Sequence, residues 1–364
     1  MIIAFVILYN KNEKCRQFFD KYIFRKVLYE DNLNKIDLEA YKNPTVFAYD
    51  RYIVILDQNV LNFYNTSGQK EHSIDIEISS PILEANGEYL CVAEKNGNKI
   101  ILIKNRNIIW QKNIEGNISS ITINKNGYVS VCISGTTYKT IVDLYDNNGK
   151  ELFKKYVSNS TVIDTTISND NKYLAIAEAD FSGVVVQSMV EVISIEEVQK
   201  NAKSAIKYTY QAEADSLIID IKYQNKNNLV CLYDKYVEKL NEGNSTKIFN
   251  FKDEAVTFAD IGLNSKTIKV IKSSNGILTK QAQIKIIDTD NKEKITTYDI
   301  EAIPKEVEIR EDIMAINEGT QILFINSNGW LIKSYDSSQE IQNIVFSDKI
   351  AGIISKNKII LISL

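Results

Sequence analysis

The chain writes one sentence three times. ANGEYLCVA (residues 85–93), NKNGYVSVC (124–132) and SNDNKYLAIA (168–177) each set a polar turn before a tyrosine and a run of small or branched apolar residues. A recurring unit limits the possible folds more than any single motif does, because each copy must bury its apolar faces against its neighbours. Around these sentences runs a second repeat, a strand rich in Ile, Val and Leu, a turn holding Asn, Asp, Ser or Gly, and a return strand. It reads NVLNFYNTSGQKEHSIDIE from Asn59, KIILIKNRNIIWQKNI from Lys99, TIVDLYDNNGKELFKKYV from Thr140, AQIKIIDTDNKEKITTYDIE from Ala282 and TQILFINSNGWLIKSYDS from Thr320. Diverged copies start near Met189 and Tyr236, and a half copy, KIILISL, starts at Lys358. Successive starts lie 40, 41, 49, 47, 46, 38 and 38 residues apart. Asn-Gly and Asp-Asn suit these turns because they accept the positive φ of tight hairpins.

Two further strands precede each hairpin. SSITIN and YVSVCIS flank the turn KNG, VIDTTIS and KYLAIAE flank NDN, and LIIDIKY with NLVCLYD and KEVEIR with DIMAIN repeat the arrangement. Four short strands every 40 or so residues make one blade of a β-propeller. The expected fold is therefore all-β, an eight-bladed β-propeller of four-stranded antiparallel blades. Seven blades is the alternative if a unit between residues 189 and 252 is misread. The repeated sentence becomes the turn between first and second strands, and Cys91, Ala93, Ser130, Cys132, Ala175 and Ala177 the small residues that let blades approach. The last unit has only three strands, IQNIVFS, KIAGII and KIILISL. An open edge is a liability, so NKIDLEA (residues 34–40) is expected to supply the missing outer strand and close the ring.

That parse divides the chain into residues 1–9, 10–32 and a propeller over 33–364. MIIAFVILY is too short to span a bilayer, which takes about 20 residues, and it lacks a signal peptide's charged start and cleavage site. It is read as the remnant of a membrane helix, or else as a hydrophobic stub on the ring. Residues 10–32 carry Phe18, Phe19, Tyr22, Ile23 and Phe24 beside Lys21, Arg25 and Lys26, an amphipathic pattern fitting a juxtamembrane anchor or a helix on the outside of the ring.

Composition narrows function by exclusion. The formal net charge of −4 argues against a nucleic-acid binder. Cys15, Cys91, Cys132 and Cys231 show no metal spacing, and the last three fall in apolar strands where cysteine acts as a small hydrophobe. The single histidine, His72, is expected at the rim on an outer strand, and closes off most histidine catalysis and most zinc sites.

FFDKYIFRKV, NPTVFAYDRYIVIL, NGEYLCVAEKNGNK, NKNGYVSVCISGTTYKT and SNDNKYLAIAE resemble a clostridial family of membrane-anchored propeller proteins of unknown function. The resemblance runs from about residue 18 to the C-terminus. It implies one N-terminal transmembrane helix, a ring related to the quinoprotein-like and WD40-like superfolds, and no activity. Quinoproteins usually carry a tryptophan docking motif, whereas this chain has only Trp110 and Trp330, both near the start of an outer strand and expected to pack between blades. No cofactor and no metal are expected.

The candidate site lies on loops. Those joining second to third strands carry Asp57, Glu94, Asp180, Asp234 and Glu318, expected to ring the channel mouth and suited to a cation or basic peptide. Acids are also what turns are made of. The longest such loop, EADFSGVVVQS, exposes Phe181, and ISGTTYKT offers Tyr138. VQKNAKSA (residues 198–205) is read as an insertion before the outer strand of the fourth blade. The expected function is a non-enzymatic interaction or scaffold ring, monomeric and tethered at the cell membrane on its outer side. It would bind a protein or cell-envelope partner through Glu94, Tyr138, Asp180, Phe181, Asp234 and Glu318. The alternative is a hydrolase, lyase or small-ligand sensor with its site at the channel mouth.

Overall fold

A computed structural model of the chain describes residues 5, 6, 8, 9, 15, 16, 19–24, 26–135, 137–200, 205–272 and 281–364, with the side chains of 21 and 22 excepted. Its strands form eight sheets arranged as blades. Blades 1 to 7 run over residues 45–75, 81–113, 117–157, 161–211, 218–250, 256–300 and 306–336. Each is an antiparallel meander from an inner strand at the channel to an outer strand at the rim. Blade 8 takes three strands from residues 343–363, and Lys35–Asp37 pairs antiparallel with Lys358–Ser363 as its fourth. The expected closure and blade count both hold.

The second and third strands have two dry faces, which is why they read as unbroken apolar runs. In Tyr89–Glu94, Leu90 and Val92 pack on blade 1 while Cys91 and Ala93 pack on blade 3. Eight such apolar clusters are found among the described residues, one in each blade-to-blade interface. The closing strand joins the last of them through Ile36, buried between blades 8 and 1. Asn34 extends the clasp by donating to the Thr66 carbonyl in blade 1 at 2.9 Å.

The repeated sentence does more than turn the chain. Its amides, with Gln224 at the equivalent turn of blade 5, latch blades 2 to 6 one to the next at the 1–2 turns. Asn86 donates to the Ile123 carbonyl at 3.1 Å, and Asn124 to the Ser168 carbonyl at 3.0 Å. Asn169 donates to the Gln224 carbonyl at 3.0 Å, and Gln224 to the Ile261 carbonyl at 2.9 Å. Gly127, with φ +81°, belongs to the same device, since a Cβ there would lie 2.5 Å from the ring of Tyr89. The tyrosine of one copy thus rests on the glycine of the next.

Two features differ from the sequence reading. Val27–Tyr29 adds a fifth strand to blade 7, parallel to its outer strand (Leu331–Asp336), where only a helix was expected upstream of the ring. The helical turn before it, Phe19–Ile23, sits against the outside of the ring. Lys26 holds it by donating to the Leu331 carbonyl at 2.7 Å and pairing with buried Asp20 at 2.8 Å. Phe18, Arg25 and the side chains of Lys21 and Tyr22 lie outside the described residues. No helix among the described residues is long and apolar enough to cross a membrane. Trp110 packs between blades 2 and 3 as expected, 6.0 Å from Tyr145, but Trp330 stands half exposed at the turn before its strand. His72 lies on the outer strand of blade 1, its ring 5.9 Å from that of Phe63.

Candidate functional sites: the loop face and the channel

The 2–3 loops carry the expected acids, and backbone donors take most of them. Glu94 accepts from the Ser79 amide at 3.2 Å and its hydroxyl at 2.7 Å, and these bonds hold its carboxyl below the ordinary value. Asp57 accepts from the Lys42 amide at 3.2 Å, Asp234 from Leu217 at 2.9 Å and Glu318 from Ala302 at 2.8 Å. In all four cases the donor lies in the segment entering the same blade's inner strand. The acid fastens that loop through a charge-assisted hydrogen bond.

Asp180 differs. It accepts from Ser182 in its own loop at 2.9 Å, and that bond keeps its carboxyl below the usual range, helped by Lys139 of blade 3. The Lys139 charge, from the 2–3 loop of blade 3, thus bears on the 2–3 loop of blade 4. Tyr138 is half-buried, its ring 4.8 Å from that of exposed Tyr156. Phe181 is 50% exposed, and Val184 and Val185 beside it are exposed too. Of the six candidate residues, Asp180 and Phe181 share one loop of blade 4, Tyr138 sits on the corresponding loop of blade 3, and Glu94, Asp234 and Glu318 are each bonded within their own blade.

The channel holds a different set. A cavity of about 780 Å³ occupies its half nearer the 1–2 turns, opposite the 2–3 loops, and none of Asp57, Glu94, Asp180, Asp234 and Glu318 lines it. Carboxyls outnumber bases along its wall by nine to four. Its most unusual members are Asp164 and Asp220, on the inner strands of blades 4 and 5. Each follows a β-bulge at Ile163 and Ile219, an extra residue that re-aims the side chain behind it. The two therefore hold equivalent places in adjacent blades, near enough for the charge of one to act on the other.

Burial, then the neighbouring Asp220 charge, pushes Asp164 well above the carboxylate range, against amide bonds from Thr165 at 2.7 Å and Ile221 at 3.2 Å. Burial raises Asp220 as well. Two residues further on, burial lowers the Lys222 ammonium, which donates to the Gly262 carbonyl. Asp260 accepts from the Gly262 amide at 2.5 Å and is pushed up to about 6, chiefly by burial. Glu84 is exposed and Glu308 half-buried toward the channel, yet protein surrounds them on the ring's inner wall, and burial raises both. The excess of carboxyls over bases along the wall suits the channel to a cation. No group of three His, Cys, Asp or Glu side chains able to hold a metal occurs among the described residues.

The sequence displays these residues without marking them. VIDTTIS and LIIDIKY each set one aspartate in a branched apolar strand, and Asp220/Lys222 and Glu308/Arg310 alternate at period two. An ionisable pair at i and i+2 on an innermost strand is the signal that could have found them.

Comparison with solved structures finds propellers. The C-terminal WD40 domain of Sif2 is 12% identical, with a TM-score of 0.61 over 91% of this chain and 97% of that one. The dihydro-heme d1 dehydrogenase NirN, in complex with DHE, is 10% identical with a TM-score of 0.55 over 89% and 74%. Sqt1 of Chaetomium thermophilum, bound to the N-terminus of the ribosomal protein L10, is 8% identical with a TM-score of 0.51 over 93% and 99%. At such identities these likenesses speak for the fold. No curated protein sequence matches. A family model does match, over residues 26–364, which spans the added strand of blade 7, the closing strand and all eight blades: the chain belongs to the family of unknown function DUF5711.

Proposed function

We propose that this ring is a non-enzymatic interaction scaffold, tethered at a membrane through its N-terminal segment. It presents the 2–3 loops of blades 3 and 4 to a protein or cell-envelope partner. The observation that carries the reading is the exposed apolar knuckle of Phe181, Val184 and Val185 on the blade 4 loop, with the Tyr138–Tyr156 pair on blade 3, the blade before it. Strand backbones are committed to the blades, whereas Phe181, Val184 and Val185 stand exposed on their loop. Exposed apolar groups on a rigid support are what anchors an interface. Sqt1, a ring of the same fold, is seen bound to the end of another protein.

Replacing Phe181 and Tyr138 with alanine tests the proposal. Capture of the partner from membranes should fall by about tenfold or more, with the melting temperature nearly unchanged. Unchanged capture by a folded double variant moves the binding face elsewhere. The second reading, a small-ligand or catalytic site in the channel, draws on the Asp164–Asp220 pair and its acidic surroundings. A panel of amines screened by calorimetry tests it, with Asp164→Asn/Asp220→Asn as the control.

A further inference from the structure

We propose that the outer edge of blade 7, with the N-terminal segment docked on it, rests in the headgroup region of an anionic membrane, so that the loop face bearing Phe181 points away from the bilayer. This rests on the membrane tether proposed above and adds the orientation of the ring. Val6, Leu8, Ile23, Phe24 and Trp330 are each between 47% and 57% exposed. They belong to one area. The ring of Phe24 stands 5.8 Å from that of Tyr9, and the Lys26 ammonium lies 5.8 Å from the Phe24 ring centroid while bonding to Leu331, the residue after Trp330.

The described residues of this segment are docked, since buried Asp20 holds both the Tyr9 hydroxyl and the Lys26 ammonium, and Arg16 stands over the Tyr298 ring at 5.8 Å. It is docked with apolar side chains facing outward, which requires something to cover them. The chemistry selects lipid. Between residues 10 and 26 the sequence has six Lys or Arg against two acids, in a chain of net charge −4, and the apolar run MIIAFVILY leads directly into it. A tryptophan, apolar neighbours and a basic stretch of sequence are what an interfacial anchor on anionic lipid uses. Trp330 precedes an outer strand, so it lies on the side of the 3–4 and 1–2 turns. Antiparallel blades place the 2–3 loops on the opposite side.

The two tryptophans make the test direct, because Trp110 is buried between blades. The full chain is mixed with phosphatidylcholine vesicles containing phosphatidylglycerol. Trp330 emission is isolated as the difference between the unmodified chain and Trp330→Phe. The expected result is co-sedimentation with the vesicles, a blue shift, and acrylamide quenching of Trp330 reduced by about threefold. Brominated lipids give a second readout on the unmodified chain, where only an interfacial tryptophan is quenched. Co-sedimentation with Trp330 quenching unchanged overturns the orientation and leaves the tether standing. A chain that stays in the supernatant overturns the tether, and this inference with it.

Discussion

Alanine at Gly127 and at Gly87 separates the cost of a backbone conformation from the cost of pushing two blades apart. Both glycines have positive φ, +81° and +57°, so alanine at either incurs the left-handed penalty of about 1–2 kcal/mol. They differ in what surrounds them. At Gly87 the nearest atom to an added Cβ is the Lys125 carbonyl oxygen at 3.8 Å, an ordinary contact. At Gly127 the methyl would lie 2.5, 2.7 and 2.8 Å from three carbons of the Tyr89 ring. That ring is buried, and Lys104 sits above it at 4.6 Å and donates to its hydroxyl at 3.1 Å, so it has little freedom to retreat. Overpacking of this kind costs about 1–3 kcal/mol. Gly127→Ala should therefore destabilise by that much more than Gly87→Ala. The assay is denaturant unfolding followed by circular dichroism. In a Tyr89→Ala background the excess should vanish, as expected when two residues share one contact. Equal losses at the two glycines would refute the idea that the repeated sentence sets blade spacing.

Three other outcomes follow from the same structure. Asp260 is raised to about 6, so the folded ring holds this proton more tightly than the unfolded chain does. The stability it brings is complete below about pH 4 and lost as pH climbs to 6, so Asp260→Asn should flatten that slope and stabilise at pH 7.5; destabilisation there would contradict it. Burial raises all three strand cysteines, Cys132 to about 11 and the others further, so Ellman's reagent should reach none of them in the native protein and all of them in guanidinium. Deleting residues 34–40 strips the outer strand from blade 8 and bares the edge of Lys358–Ser363, so the product should aggregate, and a soluble folded monomer would disprove the clasp.

What could be read from the sequence tracks where a signal is local. Second strands such as Tyr89–Glu94 announce themselves because both faces are dry and the apolar run is continuous. The clasp could be inferred because a three-stranded last blade needs a partner and residues 34–40 have no blade of their own. Val27–Tyr29 gives no such sign. It is three residues long and pairs in parallel with a strand some 300 residues away, so nothing nearby in the chain fixes its partner. The channel acids were visible as letters yet hidden as a site. Whether Asp164 and Asp220 face each other depends on bulges at Ile163 and Ile219, which break the period-two reading of a strand's faces. The loop acids were legible in place but not in role. That Glu94 or Asp234 fastens the entry to its blade depends on an amide 15 or 17 residues earlier, and only the fold brings it near.

A photo-crosslinking amino acid at position 184 gives the most direct test of the interaction face. Val184 is fully exposed at the tip of the blade 4 loop, while Lys70 on the outer strand of blade 1 serves as an exposed control. In membranes of the source cell, the probe at 184 should give one discrete adduct that disappears when Phe181 and Tyr138 are replaced by alanine, and the probe at 70 should give none. Adducts from position 70 alone, or the same adduct from both positions, would contradict the account.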